Sequence, residues 1–321
     1  MTDISIVVPL LNEAESLPEL YAWIERVMRE NKYSFEVIFV DDGSKDTSWQ
    51  IIEDLHSKHP ENVRAIKFRK NHGKSPALNE GFAAAVGEIV VTMDADLQDS
   101  PEEIPAMRNM ILNEGYDLVS GWKSKRYDPL SKTIPTKLFN FVTRKVSGIE
   151  LNDFNCGLKA YRNEVVKNIE IFGEMHRYIP VLAKWAGYNK IGEKPVIHQA
   201  RKYGVTKFGI NRFINGFLDL MTLFFVGRFS KKPMHFFGTL GALSLFSGFL
   251  VTLYVIGEKL VNIARGTDFR NVTDQPLFFL AILAIIVGFQ LFSIGFIGDL
   301  ISRNSTSRNH YSVTRRLGLN D

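Results

Sequence analysis

The sequence predicts an α/β domain, a mostly parallel sheet flanked by helices, followed by an interfacial amphipathic helix and two transmembrane helices. Three observations lead there. Short β-branched apolar runs alternate with helix-like segments over the first half of the chain. Two runs near the other end, Phe236–Gly257 and Leu277–Gly298, contain no charged residue. Between these parts lies Phe208–Phe229, rich in Phe and Leu and interrupted by Arg212, Asn215 and Asp219, as in a helix lying on a membrane surface. The expected organisation is an α/β domain over 1–207, an amphipathic helix over 208–232, two spans over 233–301 and a basic tail over 302–321.

Taken in order, Ile4–Leu11 is the first strand, and Asn12 is placed to cap a helix with Glu15 at its third position. Phe35–Val40 is a second strand and ends in Asp41-Asp42-Gly43-Ser44. Val63–Phe68 is a third, and Lys74–Val86 reads as an Ala-rich helix. Glu88–Met93 is a fourth strand, running into Asp94, Asp96 and Asp99. Asp99 or Ser100 then caps a helix with Pro101 in its first turn, where proline is tolerated. Asp117–Trp122 is a fifth strand, and after residue 150 the pattern is mixed. Alternation of this kind implies a mostly parallel sheet covered on both faces. Ligands of such sheets bind beyond the carboxyl ends of the strands, where Asn12, Asp41-Asp42 and Asp94-Ala95-Asp96 fall.

Each uncharged run has 22 residues. That is roughly 33 Å as helix against a bilayer core of about 30 Å. The alternative is a pair of buried core helices. Arg228, Lys231 and Lys232 precede the first span, and Arg303, Arg308, Arg315 and Arg316 follow the second. The connecting loop balances Glu258, Asp268 and Asp274 against Lys259, Arg265 and Arg270. The positive-inside rule therefore predicts a multi-pass protein of the inner, cytoplasmic membrane with both termini and the large domain in the cytoplasm. Met1-Thr2-Asp3 carries no basic charge and Ile4–Leu11 is too short for a signal peptide, so no competing address is expected. The lone Cys156 excludes an intramolecular disulfide framework and a Cys-rich zinc site. The net charge of +4 is modest, and its basic residues gather near the membrane, which points to anionic lipid rather than nucleic acid.

Two nucleotide motifs are missing. No G-x-G-x-x-G follows the first strand, which reads PLLNE at its end, so a dinucleotide site of the common type is not expected. His72-Gly73-Lys74-Ser75 resembles the end of a P-loop, but Phe68 stands where that loop needs glycine. What remains is carboxylates at strand ends. Asp94 and Asp96 flank a small alanine, and in an extended segment both would project to one side. With Gln98 in reach, they form an oxygen set suited to a hard cation, Mg²⁺ or Mn²⁺, bridging to phosphate.

The segments VVPLLNEAESL, VDDGSKDTS, NHGKSPALNEGF and MDADLQDSPE, in that order, resemble the donor half of the inverting family 2 glycosyltransferases with a GT-A fold. Continued through DFNCGLKAYR, RKYGVTKFG and two spans, the chain is similar over nearly its whole length to polyprenyl-phosphate glycosyltransferases. These include dolichol-phosphate mannosyltransferase and bactoprenol glucosyltransferases. The resemblance implies that Pro9, Leu11 and Glu13 line the base and ribose pocket and that Asp41 hydrogen-bonds the base or sugar. Asn71 and Gly73 would close over the nucleotide. Asp94 would contact ribose or metal, Asp96 and Gln98 would hold the metal, and Arg201 and Lys207 would sit against the diphosphate.

On the acceptor side the resemblance points to the basic stretch after the fifth strand, which holds Lys123 and Lys125, and there to Arg126, Lys132 and Thr136 for the lipid phosphate. Asp153 would orient the acceptor or act as base. The implied activity is metal-dependent, inverting transfer of a hexose from a UDP-glucose or GDP-mannose type donor to undecaprenyl or dolichyl phosphate, within cell-envelope polysaccharide synthesis. Relatives of this type include tetramers, which extends to a homo-oligomer here. The rival readings are a processive polysaccharide synthase, which would carry a Q-x-x-R-W motif absent from this chain, and an inactive membrane-tethered nucleotide-sugar-binding protein.

Overall fold

The computed structural model describes residues 2–123, 140–171, 173, 175–197, 199, 202, 233–267 and 270–304. The chain divides into two compact units, Met1–Leu220 and Met221–Asp321.

In the first unit the strands β1 (Ile4–Leu10), β2 (Phe35–Asp41), β3 (Val63–Lys67), β4 (Ile89–Thr92), β5 (Leu118–Trp122), β6 (Lys159–Arg162) and β7 (Ile191–Pro195) form one sheet. Its order is β3-β2-β1-β4-β6-β5-β7. The helices are α1 (Leu17–Glu30), α2 (Ser48–Lys58), α3 (Lys74–Ala84), α4 (Ile104–Leu112), α5 (residues 140–147), α6 (Asn163–Lys167) and α7 (Ile179–Trp185). Pairings among β1 to β4, and between β5 and β7, are parallel. The strand β6 enters antiparallel between β4 and β5. Sequence reading placed β5 directly in the parallel series and did not resolve β6. That strand is only four residues long, starts on a buried lysine and ends on an arginine, so no apolar run marks it.

Both faces of the central strands are covered. Ile4, Ile6, Val8 and Leu10 of β1 join Leu20 and Ile24 of α1, Ile52 of α2 and Ile104 and Met107 of α4 in one apolar cluster. On the opposite face, α3 lies against Val7 and Val40. Two covered faces explain why β1 and β2 are buried at every residue and mostly apolar rather than alternating, the buried Ser5 and Glu36 that interrupt them being hydrogen-bonded to each other. Each fully buried Val or Ile contributes roughly 1.5–3 kcal/mol relative to exposure.

Two helix starts differ from the sequence expectation. The helix α1 begins at Leu17, and Asn12 lies outside it in the left-handed region (φ 56°) that Asn tolerates. Its Oδ1 accepts from Lys45 N at 2.8 Å instead of capping. The helix α3 stops at Ala84, because Ala85 turns to extended backbone (ψ 134°).

The second unit is a helix pair. A single π-turn, Met234–Gly238, leads into α8 (Thr239–Ala264), and after a short turn at Val272–Asp274 the chain enters α9 (Pro276–Asn304). The stretches Met234–Ala264 and Pro276–Ile301 have mean hydropathies of 1.9 and 2.6 and are long and apolar enough to cross a membrane. They meet through glycine. A Cβ on Gly241 would lie 2.6 Å from Phe292 N, and one on Gly288 would lie 2.7 Å from Leu245 N, so the backbones touch at these positions. Ser244 Oγ donates to Ala284 O across the seam at 2.8 Å.

The outward faces stay bare, with Phe246 61% and Phe289 65% exposed. A core-helix reading would have buried them. Gln290, a polar residue of α9, is exposed. The expected amphipathic helix over 208–232 and the tail from 305 lie outside the described residues.

Candidate active site

The register of the sheet assembles the site. Leu10 pairs with Asp41 across β1 and β2, Val7 pairs with Thr92 across β1 and β4, and Met93 N donates to Val7 O at 3.2 Å. The loops after β1, β2 and β4 therefore leave the same edge side by side. The sheet order reverses direction between β1 and β4, the kind of crevice in which open α/β sheets bind ligands.

Hydrogen bonds fasten these loops together. Asn12 N donates to Ser44 Oγ at 2.9 Å and Glu13 N to Ser48 Oγ at 3.0 Å, which ties the β1 loop to the β2 loop. Pro9 is buried in β1, and Leu11 and Glu13 are half-buried beyond it. Asp41 is fully buried, its Oδ1 accepting from Ser44 N at 2.8 Å. Its Oδ2 has no hydrogen-bond partner among the described residues. A buried carboxylate oxygen without a donor is costly unless a ligand supplies one. Asp42 accepts from His72 N at 2.6 Å and Gly73 N at 2.9 Å, and so holds the loop that carries Asn71 and Gly73. Sequence reading named the Asp41-Asp42 pair but gave Asp42 no task.

The acidic loop after β4 is a turn rather than an extended segment. The strand ends at Thr92, residues 95 and 96 form a turn, and Leu97 adopts a left-handed φ of 61°. The expectation that Asp94 and Asp96 share a side through extended backbone is thereby replaced. Asp94 is partly exposed and pairs through Oδ1 with the Lys74 ammonium at the start of α3. Burial alone would raise the Asp94 carboxyl, but Lys74 outweighs it and holds it down at about 2. Asp96 is 8% exposed and accepts from Gln98 N at 3.2 Å. Gln98 directs Nε2 to Gln199 O at 3.4 Å, so Oε1 is the atom it would offer to a cation. Gln199 N returns a bond to Gln98 O at 3.0 Å. Thus the chain at Gln199 is fastened to the acidic loop.

Asp99 does not cap the next helix. Ser100 does, its Oγ accepting from Glu102 N at 3.3 Å. Asp99 is 1% exposed and forms an ion pair with Lys123 at 2.9 Å. Burial pushes its carboxyl up, and the neighbouring Asp94 and Asp96 carboxylates push the same way against the Lys123 charge. For Lys123, burial would favour loss of the proton, but Asp99 outweighs it and keeps the ammonium charged. Lys123, which stands in the basic stretch after β5, is thus bound beneath the acidic loop.

Gly157 closes the floor. A Cβ there would meet Asp94 Oδ2 at 2.7 Å and Asp99 Oδ2 at 3.0 Å, so both carboxylates abut its backbone. Thr92 Oγ1 donates to Gly157 O at 2.9 Å. In the same segment Asp153 is 1% exposed, and its Oδ1 accepts from Asn155 N at 3.1 Å. Glu193 of β7 accepts from Asp153 N at 2.9 Å and Asn152 N at 2.8 Å. Burial raises the Glu193 carboxyl despite these donors. Lys159 is buried beside the loop and donates to the Cys156 carbonyl. Burial lowers its ammonium.

The structure therefore brings Pro9, Leu11, Glu13, Asp41, Asn71, Gly73, Asp94, Asp96 and Gln98 onto one edge, with Asp153 in the segment that ends at Gly157. Arg126, Lys132, Thr136, Arg201 and Lys207 lie outside the described residues. Sequence reasoning missed Lys74, Asp42, Glu193 and the Asp99–Lys123 pair. Lys74 had a visible signal, since its tetrad was weighed as a phosphate loop.

Among the described residues no three His, Cys, Asp or Glu side chains converge on one metal position. Asp94, Asp96 and Gln98 would offer two carboxylates and an amide oxygen, all hard donors, and the Lys74 ammonium on Asp94 shows that the position attracts positive charge. Such an open oxygen set fits a divalent ion that keeps waters and takes the rest of its ligands from substrate phosphates.

Comparison with known proteins agrees with this arrangement. The Glycosyl transferase family 2 description matches residues 5–170. The chain is 32% identical over 303 residues to the dodecaprenyl-phosphate galacturonate synthase of Rhizobium johnstonii, covering 94% of this chain and 88% of that protein. It is 33% identical over 316 residues to the undecaprenyl-phosphate 4-deoxy-4-formamido-L-arabinose transferase of Pectobacterium atrosepticum, covering 98% and 93%. Among solved structures, glucosyl-3-phosphoglycerate synthase from Mycobacterium tuberculosis, in complex with Mn²⁺, UDP and phosphoglyceric acid, superposes with a TM-score of 0.54 at 20% identity. That match covers 70% of this chain and 78% of the other, and it shows a common GT-A-like fold. With the family pattern spanning the three loops that build the site, the chain belongs to glycosyl transferase family 2 and is a glycosyltransferase.

Proposed function

We propose that this glycosyltransferase moves one glycosyl unit from a nucleoside diphosphate sugar to a membrane polyprenyl phosphate, inverting the anomeric centre. The observation that carries the reading is one chain combining an oxygen-donor cradle at the ends of β1, β2 and β4 with two helices of membrane-crossing length. The similarity to polyprenyl-phosphate transferases, which includes the helix pair, supports it.

In this reading Asp41 Oδ2 takes an N–H of the base or a sugar hydroxyl, and Pro9, Leu11 and Glu13 wall the pocket. Asn71 and Gly73 close over the nucleotide on the loop that Asp42 holds. Asp94, Asp96 and Gln98 would hold Mg²⁺ or Mn²⁺, which when bound neutralises charge on the departing diphosphate. Lys74 supplies a further cation at the same edge, with Arg201 and Lys207 as the remaining donor-side charges. Arg126, Lys132 and Thr136 grip the acceptor phosphate. That phosphate is already an anion, so alignment matters more than a strong base. Burial of Asp153 and its bond from Asn155 N support an orienting role for it. The catalytic unit and both chain ends face the cytoplasm in this reading, which the basic flanks support by the positive-inside rule.

The test is transfer by purified full-length protein in lipid, given undecaprenyl phosphate, Mg²⁺ or Mn²⁺, and a donor panel. The panel holds UDP-glucose, UDP-N-acetylglucosamine, GDP-mannose and nucleotide-linked galacturonate and 4-deoxy-4-formamido-L-arabinose. A labelled polyprenyl-monophosphate sugar is expected, and Asp96→Asn should nearly abolish it. Full transfer by a folded Asp96→Asn protein would remove the metal assignment.

A further inference from the structure

The first turn of α3 carries Lys74, yet this turn has no cap of its own. Gly73 occupies the cap position and offers no side chain. Anchors on either side replace it. In front, Asp42 accepts from His72 N and Gly73 N. Behind, Ser75 Oγ accepts from His176 N at 3.1 Å and lies 3.2 Å from His176 Nδ1. A hydroxyl that accepts one N–H keeps its own proton to give, and Nδ1 of a neutral ring protonated at Nε2 can take it. The partners lie 101 residues apart, so this clasp joins α3 to the one-turn helix Met175–Tyr178 that precedes α7. Between the two anchors stands Lys74, paired with Asp94.

We infer that Ser75 and His176 are positioning residues for the donor half of the reaction, their clasp holding the first turn of α3 so that the Lys74 ammonium stands against Asp94. This rests on the glycosyl-transfer reading of the site. The imidazole does this as a neutral group, since burial and the nearby Lys74 charge hold it down at about 2. A neutral ring lets Nδ1 accept from Ser75 while Lys74 stays the cation presented by this turn.

The experiment is a set of coupled variants in the full-length protein, read as separate KM values for nucleotide sugar and polyprenyl phosphate. Ser75→Ala and His176→Ala are each expected to raise the donor KM by about tenfold, the scale of one lost hydrogen bond, with little change in acceptor KM. The double variant should be no worse than either single one. In a Lys74→Met background, His176→Ala should change the donor KM less than about twofold, because two groups acting through one partner are not additive. His176→Asn, which retains a side-chain acceptor for Ser75, should restore most of the loss. Equal losses with and without Lys74, or an equal rise in acceptor KM, would overturn the inference.

A second readout needs no substrate. Acylation of Lys74 by acetic anhydride, followed by peptide mass, should be slow relative to exposed Lys45 in the natural protein and should approach it in His176→Ala. Unchanged protection would also overturn the clasp. If no donor supports transfer by the natural protein, the functional reading fails, and the acylation result still decides the clasp.

Discussion

Asp94 keeps its charge in a half-buried loop because Lys74 stands on it and because Gly157 leaves room beneath it. The second condition is testable by one methyl group. In Gly157→Ala the added Cβ would fall 2.7 Å from Asp94 Oδ2 and 3.0 Å from Asp99 Oδ2, and neither carboxylate can retreat without breaking its ion pair. Overpacking of this kind costs about 1–3 kcal/mol, so the protein should fold with a lowered Tm. Shifting Asp94 within the proposed metal site, toward the misplacement of about 1 Å that costs about a hundredfold, should lower turnover by more than the stability loss explains. Steady-state kinetics beside a thermal melt separates the two effects. His176 gives a pH test at the same scale. Its folded-state value is depressed from the ordinary 6.5 to about 2. Above 6.5 both states are neutral, whereas below it the unfolded chain takes up a proton that the folded protein refuses. Stability is therefore lost as pH falls below about 6.5. Melting curves between pH 7.5 and 5 should show the natural protein losing Tm faster than His176→Asn, and parallel curves would contradict the assignment.

At the scale of elements, the parts legible in sequence were those with one strong signal. The strands β1, β2 and β4 are buried throughout and mostly apolar because two layers cover them, and each runs into the polar residues of the site. The two long helices declared themselves by lack of charge. Less legible was anything fixed by a distant partner. Asp99 looked like a cap because it precedes Ser-Pro, but a lysine just beyond β5 claims it. Asn12 looked like a cap because Glu15 follows, but the backbone of Lys45 claims it. Glu193 and His176 carried no local pattern, since their partners lie 40 and 101 residues away. The helix pair offers its own test of where contact lies. Leucine at Gly288 would drive a side chain into Leu245 N, whereas a Cβ at Gly257 meets nothing within 4 Å. Gly288→Leu should lower the thermal stability of the pair by several degrees, from overpacking of about 1–3 kcal/mol. Gly257→Leu should lose nothing, and equal losses from both would show that the seam is not the contact.

For the whole molecule, the proposed activity needs the site and the head of a lipid acceptor on the same side of the bilayer, so orientation follows from function as well as from the basic flanks. The chain itself supplies a clean way to read it. Its single cysteine, Cys156, is buried, and burial pushes the thiol up to about 12, so at pH 7.5 it is protonated and unreactive. A cysteine introduced elsewhere is then the only thiol a maleimide can find. Thr267 lies exposed in the loop between α8 and α9, and Ser57 lies exposed on α2. In spheroplasts, a membrane-impermeant maleimide should label Thr267→Cys at once and Ser57→Cys only after permeabilisation. The unaltered protein should stay unlabelled in both conditions and react once denatured. Labelling of Ser57→Cys from outside would reverse the proposed orientation, and it would place the donor site away from the cytoplasmic pool of nucleotide sugars.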